Sequence, residues 1–329
     1  MTSLPNLSSI VLPDLPKQGE AVCWDGLYGA SKWIALAEAA QNVKKPFLLL
    51  LPDIRSVEAV SQDLSFFSPN LKLHVFPDWE TLAYDRFSPY QDIVSERLHT
   101  LSIMSHLTDG IIITSIQTAL HRLLPKDWLT KTTFSLSCGQ QIQREAFRTR
   151  LTESGYISTS QVSAPGEFAV RGSLIDVFPV GARLPLRIDL FGDEIDTLRV
   201  FDSETQRTTG EIENITILPA REFPTDKRGI MEFRRSWREH FSSGYQGSTI
   251  YQDVSEGLAP AGIEYYLPLF HEETNVLADY IPSDCVVIFD ESIEIAADKF
   301  RLSVDERYEA LRHDTARPIL ATKDIFAEF

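Results

Sequence analysis

Phe47-Leu48-Leu49-Leu50-Leu51, closed by Pro52-Asp53, is followed by Val57, Val60, Leu64 and Phe67 at intervals of three and four. A short run that is apolar at every position needs cover on both faces, as in a strand of a parallel sheet. The spacing after it is that of a helix burying one stripe. Working outward, Ala21 to Trp24, Leu71 to Phe76 and Ile111 to Thr114 are further candidate strands. Val94, Leu98, Leu101 and Ser105 mark another helix, with Ser115 as an N-cap and Pro125 as the stop of the last helix in the series. Alternation of this kind predicts an α/β half-domain around a mostly parallel sheet from Glu20 to about Asp127.

The pattern changes near Lys131. A helix over roughly Gln143 to Ser154 leads to Gly155, and Glu167–Val170, Ser173–Phe178, Leu184–Leu190 and Ile195–Phe201 then alternate with turns at Gly172, Gly181 and Gly192-Asp193. Such spacing predicts antiparallel strands. After Pro219 the chain is helical again, most clearly over Lys227 to Phe241, and it returns to a buried-type strand at Cys285 to Phe289. An isolated strand needs a sheet, so the first and last segments are expected to complete one α/β domain, 1–130 with 218–329. A small α+β domain, 131–217, is inserted between them.

Asp and Glu number 47 against 31 Lys and Arg, a formal charge of -16, which disfavours a dedicated nucleic-acid binder. Three widely spaced cysteines, Cys23, Cys138 and Cys285, offer neither a disulfide framework nor metal-ligand spacing, and a reducing, cytoplasmic setting is expected. The stretch from Met1 to Lys17 has no secretory pattern and reads as a loose lead-in. Pro46 to Pro52 is the longest apolar run, far below the ~20 residues of a membrane span. No metal, cofactor or membrane is implied.

Gly26-Leu27-Tyr28-Gly29-Ala30-Ser31-Lys32-Trp33 stands where a phosphate-cradling loop would, between a strand and a helix. Ser31 replaces the second glycine and Trp33 the Mg2+-ligating hydroxyl, so Lys32 is left without its partners; a tight strand-to-helix turn accounts for the same residues. Asp290-Glu291 follows an apolar run, as a metal-holding acid pair does at a strand's carboxyl end, and equally as capping residues do at a helix start. In Leu186-Arg187-Ile188-Asp189-Leu190-Phe191, strand alternation puts Arg187, Asp189 and Phe191 together on an outer face, with Asp189 orienting the Arg187 guanidinium. Arg171 can reach that face by hairpin pairing, and eight of the nine basic residues between 131 and 217 are arginine, which suits planar pairing at an interface. A solvated Arg187–Asp189 surface pair is the alternative. The aromatic stretch Phe76 to Tyr90 carries Asp78, Glu80 and Asp85 against Arg86 alone, and is expected to pack around a long loop instead of stacking on bases.

Taken together, the chain resembles the N-terminal module of the bacterial transcription-repair coupling factors, the Mfd family, and more distantly the excision-repair protein UvrB. The blocks that carry the resemblance are Phe76-Pro77-Asp78-Trp79-Glu80-Thr81-Leu82 with Tyr84 to Ile93, Gly166-Glu167-Phe168 with Arg171-Gly172, Phe191 to Asp202, Glu222 to Lys227, and Ala261 to Tyr265. The resemblance implies a RecA-like domain split into parts 1a and 1b with domain 2 inserted, and a decayed nucleotide site at Gly26, Gly29, Ser31, Lys32, Trp33, Asp290 and Glu291. It further implies a non-catalytic module whose Arg171, Arg187, Asp189 and Phe191 contact UvrA. RNA polymerase and DNA would be engaged by motor and polymerase-binding parts of a longer protein that is itself an ATP-dependent translocase. An active UvrB-like ATPase working on damaged DNA is the alternative.

Overall fold

The computed structural model describes residues 14–241 and 247–328; most of the expected lead-in falls outside them. The first segment runs α1 (Ser31–Asn42), β1 (Pro46–Leu51), α2 (Ile54–Phe67), β2 (Leu73–Val75), α3 (Gln91–Met104) and β3 (Gly110–Ser115). β1 and β3 are buried at every position, which is why they read as unbroken apolar runs. Asp53 caps α2 by accepting the Ser56 N–H, and the helix buries Val57, Val60 and Leu64. Ser115 caps α4 (Ile116–Ala119), but the helix stops there, and α5 (Lys126–Thr132) begins directly after Pro125. Pro125 thus opens a helix instead of closing one, because His121 and Leu123 make strand-like bridges to Phe326 and Asn275.

The middle segment contributes β4 (Phe134–Ser137), α6 (Arg144–Glu153), β5 (Ile157–Ser158), β6 (Glu167–Arg171), β7 (Leu174–Val177), β8 (Leu186–Phe191), β9 (Glu194–Phe201), β10 (Thr208–Ile212) and β11 (Asn214–Ile217). Six of these form a sheet in the order β10-β9-β8-β7-β6-β5, antiparallel except for β5 beside β6. β11 pairs with β4. The last segment adds α7 (Lys227–His240), α8 (Thr249–Ser255), a 3-10 helix at Ile263–Phe270, α9 (Leu277–Tyr280), β12 (Val286–Phe289), α10 (Ile293–Leu311) and α11 (Thr322–Ile325).

β12 returns to the parallel sheet, whose order is β12-β1-β3-β2, and pairs Val287 with Leu48 and Phe289 with Leu50. Expected as buried, it is an edge strand with Val287 and Phe289 exposed. The expected strand Ala21–Trp24 is irregular chain and joins neither edge of the sheet, β12 or β2. The chain is therefore α/β, with a parallel sheet assembled from both ends of the sequence and an antiparallel sheet between them.

One apolar core serves both sheets. It runs from Leu48, Ile112 and Leu98 through Phe147, Ile175, Ile188 and Leu198 to Tyr280 and Ile293. A second gathers Trp79, Tyr84, Trp237 and Tyr266. Beside it the Arg97 Nε donates to Glu222 Oε1 at 2.6 Å and Trp79 Nε1 to the same oxygen at 3.1 Å, joining the first segment to the start of the last. Of the aromatic stretch, Phe76, Trp79 and Tyr84 are buried while Phe87 and Tyr90 are exposed.

Candidate protein-interaction site

Alternation along β8 sorts its side chains as the sequence predicts: Leu186, Ile188 and Leu190 are buried, Arg187 and Asp189 are half-buried, and Phe191 is 83% exposed. Register extends the outer face across four strands. One row is Ala169, Asp176, Arg187 and Arg199; the next is Arg171, Leu174, Asp189 and Thr197. Phe191 stands one step further, at the β8–β9 turn, and Arg171 at the β6–β7 turn, so the two hairpin tips lie at the same end of the sheet. Gly172 and Gly192 make those turns at φ +62 and +67; nothing crowds either position, so the backbone conformation alone calls for glycine.

The hydrogen bonds on this face differ from the expected ones. Arg187 donates through Nε and Nη2 to the two carboxylate oxygens of Asp176, at 2.7 and 2.9 Å. Its guanidinium lies 4.6 Å from the centre of the buried Phe201 ring. Asp189 is not its partner: Oδ2 of Asp189 accepts from Arg199 Nη2 at 3.0 Å and Oδ1 from Ser173 Oγ at 3.4 Å. The cause is the register, which sets Arg187 directly between Asp176 and Arg199 across the strands, whereas Asp189 is its neighbour along the strand. The bond to Asp176 raises the Arg187 pKa further above its ordinary value. The Arg171 Nη2 donates to the Ser160 carbonyl at 2.8 Å, and its side chain is exposed.

Sequence alternation also missed that part of the outer face is apolar and buried. Val162, Ala169, Phe178 and Phe201 form a separate small core there. Asp176, Phe201 and Arg199 are thus part of the arrangement without having been singled out. The signal was present in Leu174-Ile175-Asp176-Val177, where an acid interrupts an apolar strand at an outward position.

At the other sheet, Lys32 Nζ donates to Asp290 Oδ2 at 2.9 Å and lies 4.6 Å over the Trp33 ring. Oδ1 of Asp290 accepts from Ser292 N and Oγ, at 3.2 and 2.7 Å. Burial raises the Asp290 pKa, but the bonds from Lys32 and Ser292 outweigh it and hold the carboxyl below its ordinary value. Glu291 is exposed. Gly26 and Gly29 adopt φ +75 and +55, and the amides that would cradle a phosphate turn inward, Ser31 N to Tyr28 O at 3.2 Å and Trp33 N to Ala30 O at 3.1 Å. The structure therefore brings Gly29, Lys32, Trp33 and Asp290 around one open cleft. Among the described residues, no group of His, Cys, Asp or Glu is arranged to hold a metal ion, and no helix is long and apolar enough to cross a membrane.

Residues 134–223 match the family model of the UvrB interaction domain. Over 311 residues, 94% of this chain, the sequence is 40% identical to the transcription-repair-coupling factor of Escherichia coli, of which it covers 27%. It is 38% identical over 317 residues to that of Haemophilus influenzae, covering 95% of this chain and 28% of the relative. The Bacillus subtilis protein of the same name is 27% identical over 296 residues, 85% of this chain and 25% of its own length. The resemblance to the coupling factors thus holds over most of the chain, which spans about a quarter of the length of these relatives.

Proposed function

We propose that this chain is a non-catalytic, UvrB-like module that recruits UvrA to stalled RNA polymerase in nucleotide excision repair, in the cytoplasm. Contacts with RNA polymerase and DNA belong to the rest of a longer protein. The observation that carries this reading is the face built by Arg171, Arg187, Asp189 and Phe191 within the segment that matches the UvrB interaction domain. An 83% exposed phenylalanine at a hairpin tip, on a sheet face that also carries Arg171 and Arg187, is the composition of an interface anchor.

The cleft around Lys32 supports the non-catalytic part of this reading. The Ser31 and Trp33 amides are engaged within the loop, Trp33 stands in place of the hydroxyl, and Asp290 already neutralises the lysine. The test is direct: purified chain titrated with UvrA near physiological salt binds, and calorimetric titration with Mg-ATP gives no heat of low-micromolar association. Saturable Mg-ATP binding, or no association with UvrA, overturns the respective half of this reading.

A further inference from the structure

Two cations and two carboxylates alternate on the outer face: Asp176 with Arg187, and Asp189 with Arg199. Both pairs are internal, so this part of the face is electrically balanced before any partner arrives. Asp176 is the deeper member, its side chain only 4% exposed against 17% for Arg187. If a partner carboxylate drew Arg187 away, Asp176 would remain as a buried, unpaired charge, which proteins avoid at high cost. Nε and Nη2 of Arg187 are committed to Asp176 and one ring face is covered by Phe201. Its Nη1 makes no bond among the described residues and is not among the enclosed polar atoms without a partner, so it opens to solvent. Arg171 differs: no carboxylate among the described residues lies within ion-pair distance of it.

We infer that Asp176 is a positioning residue for partner binding: it fixes Arg187 so that the guanidinium edge away from Asp176, with Nη1 foremost, is presented, and the complementary partner surface offers an uncharged acceptor such as a main-chain carbonyl beside an apolar pocket for Phe191. This rests on the recruitment reading above and specifies it. Arg187 then acts as a directed hydrogen-bond donor and not as a net charge, while Arg171, which has no carboxylate partner among the described residues, is the charge-bearing contact of the two rows.

The experiment measures UvrA affinity for wild type, Asp176→Asn, Arg187→Ala, the double variant Asp176→Asn/Arg187→Ala, Arg171→Ala and Phe191→Ala, each at ~50 and ~500 mM salt, with thermal melts to confirm folding. Asp176→Asn should weaken binding by about tenfold, and should add less than about twofold when Arg187 is already alanine. The loss from Arg187→Ala should be the same at both salts, and that from Arg171→Ala should shrink at the higher one. If Arg187 instead turns to a partner carboxylate, Asp176→Asn leaves affinity unchanged or tightens it, and the Arg187→Ala loss fades with salt; either result overturns the inference and spares the recruitment reading. The salt comparison of wild type with Arg187→Ala decides the matter even if Asp176→Asn fails to fold. Wild-type affinity in Arg171→Ala, Arg187→Ala and Phe191→Ala alike removes the recruitment reading itself.

Discussion

The Lys32–Asp290 and Arg187–Asp176 pairs are nearly equal in length, 2.9 and 2.7 Å, and each ties an acid of one strand or strand end to a cation on a neighbouring element. In the parallel sheet the acid lies in the cleft and neutralises the lysine. In the antiparallel sheet the acid lies beneath the arginine and saturates only one edge of it, so the pair leaves a donor presented outward. Lys32 has a point charge that one carboxylate neutralises; Arg187 has a planar fork that one carboxylate orients. Under the proposed function, the same elementary contact ends one site and builds another.

The sharpest way to break this comparison starts below the outer face. Leu190→Ala empties a position 6% exposed in the core shared by both sheets, and should lower stability by about 2–5 kcal/mol. UvrA binding should fall only as far as the folded fraction does, as denaturant titration alongside binding will show. Arg187→Ala comes next. It strips the partner from a buried carboxylate, and allowing for the partial exposure of Arg187 it should lower stability by about 2–4 kcal/mol as well as impairing UvrA binding. Reading β8 by alternation alone would have expected binding to fall with the melting temperature unchanged. The structure ties the two losses together, and a double replacement of Asp176 and Arg187 by apolar residues should recover stability but not binding.

Phe191→Ala should weaken UvrA binding by about 2 kcal/mol and leave the melting temperature within error, since the ring touches little of its own chain. The smallest effect is expected at the cleft. Lys32→Ala removes a pair whose lysine side chain is 35% exposed, so after solvent screening the cost should stay under about 1 kcal/mol, with no change in UvrA affinity. A loss as large as that of Arg187→Ala would erase the contrast drawn between the two pairs.

How far the sequence reached depended on which interactions each residue makes. β1, β3, α2 and α3 were readable because burial on one or both faces imposes a period on the sequence. β5 and β10 were not: Ile157-Ser158 and Thr208-Thr209-Gly210-Glu211-Ile212 are held by backbone pairing at a sheet edge, which leaves side chains almost free. Alternation along β8 identified the face on which Arg187, Asp189 and Phe191 lie, since sheet geometry is local. It could not choose the partner of Arg187, because Asp176 and Arg199 come from other strands and only the register sets them opposite. The missing strand at Ala21–Trp24 has the same origin: an apolar run states a preference, and whether another strand pairs with it is not written in the run itself.

Because a single apolar cluster passes from Leu48 and Ile112 to Ile188 and Leu198, the antiparallel sheet is keyed into the parallel one and does not hang from a linker. Tyr156 reinforces the join, donating its hydroxyl to the Leu218 carbonyl while accepting the Val180 N–H, and Ser95 of α3 accepts the N–H of Gly181. In mechanical terms the hairpin tips are the end of a stiff lever. A load applied at Phe191 travels along β8 and spreads as shear over a packed interior, where resisting it requires many contacts to yield at once. A molecule tethered at those tips would be dragged with the body of the protein in fixed orientation, without slack to take up first.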